Sequence, residues 1–310
     1  MVLLFAPSIC FAFGQGNYVF SISPLIGVLY GQGEEIVYNN SSTNAYKSEL
    51  LWDLKPLMYA GFNAGINPGD FFTNRGFNFA LFFKYGIPIK TGAMEDRDWL
   101  NPQENFLTRY SRHDAFSQST FFADLSAGYS WPFGNSLALK TFLEFSFSRL
   151  SWSGENGYYQ YSPGDSSPWT SSLPKKYFRN DFSEYDGRDI MYSQNWLILA
   201  PGVSMSYKPS QLLVLEAIVN YSPLIYCAAK DEHVLRNATF NDRLYGGHYI
   251  KGTGLVSFLP KDKMEMILHL SYKLITGSRG DTTVGSIREN GTAGGGYSAV
   301  DFGLIARFFL

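Results

Sequence analysis

The sequence predicts an all-β chain: a ten-stranded antiparallel transmembrane β-barrel with long extracellular loops and short periplasmic turns. Three observations predict it. Aromatic residues reach 17% of the 310 residues and charged residues only 17%, against ~25% charged in soluble domains. Many segments alternate apolar and polar side chains with period two, so that one face is oily and the other wet. Tight turns alternate strictly with long polar stretches, the pattern of an outer-membrane barrel. Mean hydropathy of −0.12 excludes a bundle of apolar membrane helices. A net charge of −2 gives no basic footprint for nucleic acid.

Residues 1–13, MVLLFAPSICFAF, read as a secretory signal without its basic n-region. Residues 14–310 then form one barrel domain. A buried first strand is the competing reading of the apolar start, but Pro7 fits a strand badly. Cys10 leaves with the signal, so Cys227 stays as a lone thiol.

The strands follow in order from the alternation. In Ser136–Arg149, Leu137, Leu139, Leu143, Phe145 and Phe147 oppose Lys140, Glu144, Ser146 and Ser148. In Leu212–Ser222, Leu213, Leu215, Val219 and Tyr221 oppose Glu216, Asn220 and Ser222. In Met264–Leu274, Met266, Leu268, Leu270 and Tyr272 oppose Glu265, His269, Ser271 and Lys273. In Tyr297–Leu310, Val300, Phe302, Leu304 and Phe308 oppose Asp301, Gly303 and Arg307. A soluble sandwich shows the same alternation with its oil turned inward; the connections separate the two. Asn67–Asp70, Pro132–Asn135, Lys208–Gln211 and Pro260–Lys263 are tight turns. Long polar stretches fall near 30–47, 88–116, 153–191, 226–244 and 277–296. Five hairpins make ten strands, and closure leaves no edge. Inward Lys140, Glu144, Glu216, Glu265 and Arg307 fill a barrel of this size, which argues against a wide pore.

Two polar clusters carry chemistry. Asp96 and Asp98, in Met94-Glu-Asp-Arg-Asp-Trp99, are two residues apart. On a strand both point to one side and can grip one water, and close carboxylates raise one another's pKa. Alone, an Asp-x-Asp is a weak motif, equally at home in a solvated loop or a loose calcium pair. Asp231 and His233, in Lys230-Asp-Glu-His233, also share a face. A carboxylate beside an imidazole fixes its tautomer and supports its cation, as a general base requires. Taken singly, an exposed loop histidine is the plainer reading. Zinc ranks lower, because no His-Glu-x-x-His or comparable spacing occurs. No metal or cofactor is expected.

Met-x-Asp-x-Asp-Trp and Asp-Glu-His, in this order on the rim of a ten-stranded barrel, resemble the omptin family of outer-membrane proteases. Gly31-Gln-Gly-Glu-Glu35-Ile-Val-Tyr38, Ser111-Arg-His113 and the region near Thr276–Gly280 extend the similarity. The resemblance implies an aspartyl-type endopeptidase in the outer membrane whose active site faces the extracellular side. Asp96 and Asp98 would hold and polarise a water, His233 would take its proton, and Asp231 would orient His233; His113 is a supporting candidate. Glu35 stands at the family's substrate-pocket glutamate, so cleavage near basic residues is expected. Ala229 replaces that pocket's second acid, and Arg109 falls near a further acidic position. Arg149 is what remains of the family's lipopolysaccharide-binding face, with Asn195 where a second arginine would stand. An arginine snorkelling to the interface explains Arg149 equally well. The expected partners are a peptide or protein substrate and outer-membrane lipid, lipopolysaccharide among the candidates. The alternative function is a catalytically inactive surface barrel acting as an adhesin or binding protein.

Overall fold

The computed structural model describes residues 18–39, 45–70, 72–178, 188–261 and 264–310. The signal-like segment 1–13 lies outside them. Among the described residues there are fifteen strands and one short 3-10 turn, Val234–Arg236. The strands are β1 (Tyr18–Tyr38), β2 (Tyr46–Pro68), β3 (Gly76–Gly86), β4 (Lys90–Asp98), β5 (Arg109–Ser117), β6 (Phe121–Phe133), β7 (Leu137–Tyr161) and β8 (Lys176–Tyr177). They continue as β9 (Arg188–Ser210), β10 (Leu213–Ser222), β11 (Ile225–His233), β12 (Ala238–Tyr245), β13 (His248–Lys261), β14 (Met264–Val284) and β15 (Ile287–Phe309).

Pairing is antiparallel and closes on itself. β1 pairs with β2 on one side and with β15 on the other. Near the turn end the neighbours run β2, β3, β6, β7, β9, β10, β13, β14, β15. Towards the other end β4 and β5 take the places of β3 and β6, and β11 and β12 those of β10 and β13. Each change of strand is a local break in a continuing path. Pro88 and Pro223 lack the N–H that a ladder needs. Gly246 and Gly247 turn with φ of 67° and 88°. Backbone hydrogen bonds span the breaks, such as Gly86 N to Thr120 O at 2.8 Å and Gly246 N to Ile225 O at 3.1 Å.

The oil faces outward, which removes the sandwich reading. Ile26, Met58, Leu125, Leu143, Phe145, Leu268 and Phe302 are exposed, while Lys84, Asp124, Glu144, Glu265 and Asp301 are buried. The inward charges are paired, as buried charges must be. Lys251 bridges Asp124 at 3.0 Å and Glu144 at 2.9 Å; Arg307 holds Glu265 at 2.8 Å. Lys84 pairs with Asp301, which also accepts the Tyr59 hydroxyl at 2.5 Å. His269 approaches Asp301 at 4.0 Å, a structural position as its inward register suggests. Cys227 is a buried free thiol.

The tight turns fall where the sequence puts them; that at 260–263 lies partly outside the described residues. The long loops do not. Most of 30–47, 88–116, 226–244 and 277–296, and parts of 153–191, are strand. Period-two alternation of oil and polar residues marks a strand only where one face meets lipid. Beyond the apolar belt both faces are polar or mixed, so the pattern fades while backbone pairing continues.

Candidate active site

Above the outward belt, the extended strands enclose a cleft. Its underside is an aromatic stack of Trp52, Trp152 and Tyr192, with ring centroids 5.6–6.0 Å apart. All three rings are buried, with Leu50, Met94, Leu150 and Leu244 in the same cluster. This layer separates the cleft from the charged lumen below and keeps its environment poorly solvated.

One wall is β4. A register shift between Lys90 and Gly92 sets its rotation. Gly92 has φ of 126°, and a Cβ there would sit 2.7 Å from the Asp53 side chain, so glycine alone fits. Asp53 Oδ2 accepts the Ala93 N–H at 3.1 Å and fixes the strand at the next residue. Asp96 then lies between Leu50 of β2 and Ser111 of β5, and Asp98 between Ser48 and Arg109. Ser48 donates to Asp96 Oδ1 at 3.2 Å and Ser111 to Oδ2 at 3.4 Å. Burial and the Asp98 charge push Asp96 up to about 7, against the opposing pull of His233. Burial also raises Asp98, with Arg109 and Arg236 pulling the other way.

The facing wall is the β11–β12 hairpin. It closes tightly after His233 through the 3-10 turn, and Asn237 ends that turn at φ 49°. His233 Nε2 and Asp231 Oδ2 are 2.7 Å apart. Burial disfavours the His233 cation, but the Asp231 bond and charge outweigh it and the pKa is raised. The Asp96 charge adds to that rise, so the two walls sense each other.

Glu35 joins from β1. It stands opposite Leu50 of β2, which stands opposite Asp96 of β4, so the three project from one face in a row. On its other side Glu35 opposes Gly295 of β15, which has no side chain to keep the strands apart. The cleft is accordingly pinched, and Gln194 of β9 donates across it to Glu34 O at 2.8 Å. Glu35 is buried, and burial with the charges of Asp231, Asp242 and Asp96 pushes its carboxyl well up.

Asp96, Asp98, Asp231, His233 and Glu35 therefore surround one cleft. His113 does not face it as a partner of these groups: its Nδ1 lies 3.2 Å from Asp189 in a separate buried pair packed on Phe178. Arg149 stays on the outer side, half-buried, donating to Asn195 at 2.9 Å and Ser119 at 3.2 Å. Arg109 opposes Asp98 across β4–β5 and lies over the Tyr161 ring. Among the described residues no cluster of His, Cys, Asp and Glu is arranged to hold a metal ion. Asp242 is an acid of the cleft that the motifs do not point to. It falls within 226–244, where the sequence pattern offers no strand partner. The only signal for it is that a short turn after His233 would fold it back beside Ala229.

The sequence matches the model of the Omptin family over residues 17–301. It is 23% identical over 249 residues to the plasminogen activator of Yersinia pestis, covering 74% of this chain and 68% of that protein. The fold is similar to the crystal structure of the outer membrane protease OmpT from Escherichia coli, with a TM-score of 0.80 and 16% identity, covering 94% of this chain and 97% of that one. At that identity the likeness to the solved structure is one of fold.

Proposed function

The chain belongs to the omptin family of outer-membrane proteases, and from that premise we propose that it is an endopeptidase hydrolysing peptide bonds near basic residues with a directly activated water. What supports this reading is the Asp231–His233 pair, 2.7 Å apart, together with the mutual influence of the Asp96 and His233 charges. Asp96 and Asp98 hold and polarise the water. His233 accepts a proton as the water oxygen attacks the scissile carbonyl, and Asp231 keeps the imidazole oriented and balances its charge. Collapse of the tetrahedral intermediate breaks the C–N bond, and His233 returns its proton to the leaving amine. Neither a serine nor a cysteine nucleophile enters this scheme.

We read the pairing path as a ten-stranded transmembrane barrel, residues 14–310, with the cleft on the extracellular side. Support comes from the closed ladder and the outward apolar belt. The cleft lies at the end opposite the short turns, as in outer-membrane barrels generally. Arg149, on the outer face, is the group offered to a lipid phosphate such as that of lipopolysaccharide.

The test is a peptide-library digest by protein reconstituted with and without lipopolysaccharide, beside His233→Ala. Loss of a general base predicts a kcat lower by about 10²–10⁴-fold. Equal turnover in the two proteins removes the role assigned to His233. Absence of any cleavage, with binding of host proteins retained, favours the adhesin reading.

A further inference from the structure

We propose that Asp242 is the second acidic anchor of the substrate pocket, replacing from the neighbouring strand the carboxylate that Ala229 lacks, and that with Glu35 it grips an arginine or lysine side chain of the peptide. The proposal rests on the proteolytic reading above.

Ala229 and Asp242 are directly opposed across β11–β12. Opposed residues of an antiparallel pair project from the same face with Cβ atoms about 5 Å apart. Ala229, Asp231 and Asp242 thus face the cleft together, and a carboxylate lost from β11 is supplied one strand away. Asp242 is 5% exposed and Glu35 4%, and Ala229 is too small to separate them from the cleft.

Glu35 Oε2, Asp231 Oδ1 and Asp242 Oδ1 are buried without a partner at hydrogen-bond distance, and the donor beside Asp242 is the neutral hydroxyl of Thr282, opposite it on β14. The neighbouring cations do not serve them. Lys230 and Arg243 point to the exposed outer face, and Lys230 pairs with Glu232 at 2.5 Å. Buried carboxylate oxygens left open are costly unless a donor arrives. A guanidinium offers five N–H donors and one positive charge, and an ammonium three donors and one charge. Such a head answers several open acceptors at once and balances their charge, whereas an apolar or acidic side chain leaves them unpaired and a neutral polar one leaves the charge uncompensated.

The test compares kcat/KM for two matched peptides, one with arginine and one with its neutral isostere citrulline before the scissile bond. The wild type should favour arginine. In Asp242→Asn the arginine-to-citrulline ratio should fall by about tenfold or more, and Ala229→Asp added to Asp242→Asn should restore much of it. An unchanged ratio in Asp242→Asn overturns the proposal. The single variant Ala229→Asp tests it where Asp242→Asn does not fold. With Asp242 already in place the added carboxylate should leave arginine selectivity level or lower it; a tenfold rise would mean the pocket had lacked its second anchor and would overturn the assignment. A wild type that cleaves neither peptide overturns the proteolytic reading, and this one with it.

Discussion

At His233 burial and a neighbouring anion act in opposite directions, and the anion prevails, so the imidazolium is favoured beyond its ordinary 6.5. A base must be neutral to accept a proton. Activity should therefore be lost as pH falls through a value above 6.5, measured as the acid limb of kcat/KM. Because Asp96 also titrates upward, to about 7, the limb belongs to the cluster, and the sharper prediction is one of direction. Asp231→Asn removes the charge that favours the cation, so the residual acid limb should move to lower pH. A limb that stays or rises contradicts the role given to Asp231. The same shifts have a consequence for stability. The folded chain holds more protons on Asp96 between its ordinary 3.8 and about 7, and on His233 between 6.5 and its raised value. The site's contribution to stability therefore declines as pH rises through these windows.

The strand that carries Asp96 is aimed by a glycine. Gly92→Ala brings a Cβ to 2.7 Å from Asp53 at a φ that L residues rarely adopt. Strain of this kind costs about 1–3 kcal/mol. Relief would swing the strand and with it both aspartates, and a displacement of about 1 Å in a catalytic group can cost ~10²-fold. We expect kcat to fall at least tenfold in protein that still folds; an unchanged kcat means β4 is positioned from elsewhere. How far an element can be read from sequence follows from its surroundings. Ser136–Arg149 is legible because Leu143 and Phe145 face outward while Glu144 and Ser146 face in. β11 and β12 are not, because Lys230, Asn241 and Arg243 face water while the buried face mixes Cys227, Ala229 and Leu244 with Asp231 and Asp242, so neither side is consistently oily. The Asp-x-Asp and Asp-x-His spacings show through because they need only the strand's own period. Asp242 does not, because its place depends on pairing with another strand.

For the molecule as a whole, an outward oily belt around a lumen of paired charges fits only a surrounding of lipid. Leu143 is exposed midway along the belt portion of β7. Arginine there should cost about 2–4 kcal/mol if the residue sits near the bilayer midplane. Leu143→Arg should accordingly refold poorly into bilayers, read as the yield of heat-resistant folded protein on a gel. Refolding equal to the wild type would put that face out of lipid. The polar lumen is stapled by pairs such as Lys251 with Asp124 and Glu144, and the aromatic layer of Trp52, Trp152 and Tyr192 caps it from above. The barrel thereby supplies a rigid wall on each side of the cleft and a dry floor beneath it.

The central claim is that Asp96 and His233 act on one water molecule. A double-mutant cycle on kcat/KM tests it, using Asp96→Ala, His233→Ala and the pair together, on one peptide. Groups that serve a single attacking water fail together, so the double variant should be about as slow as the slower single one. Losses that multiply in the double variant would show that the two groups work independently, and would contradict the account.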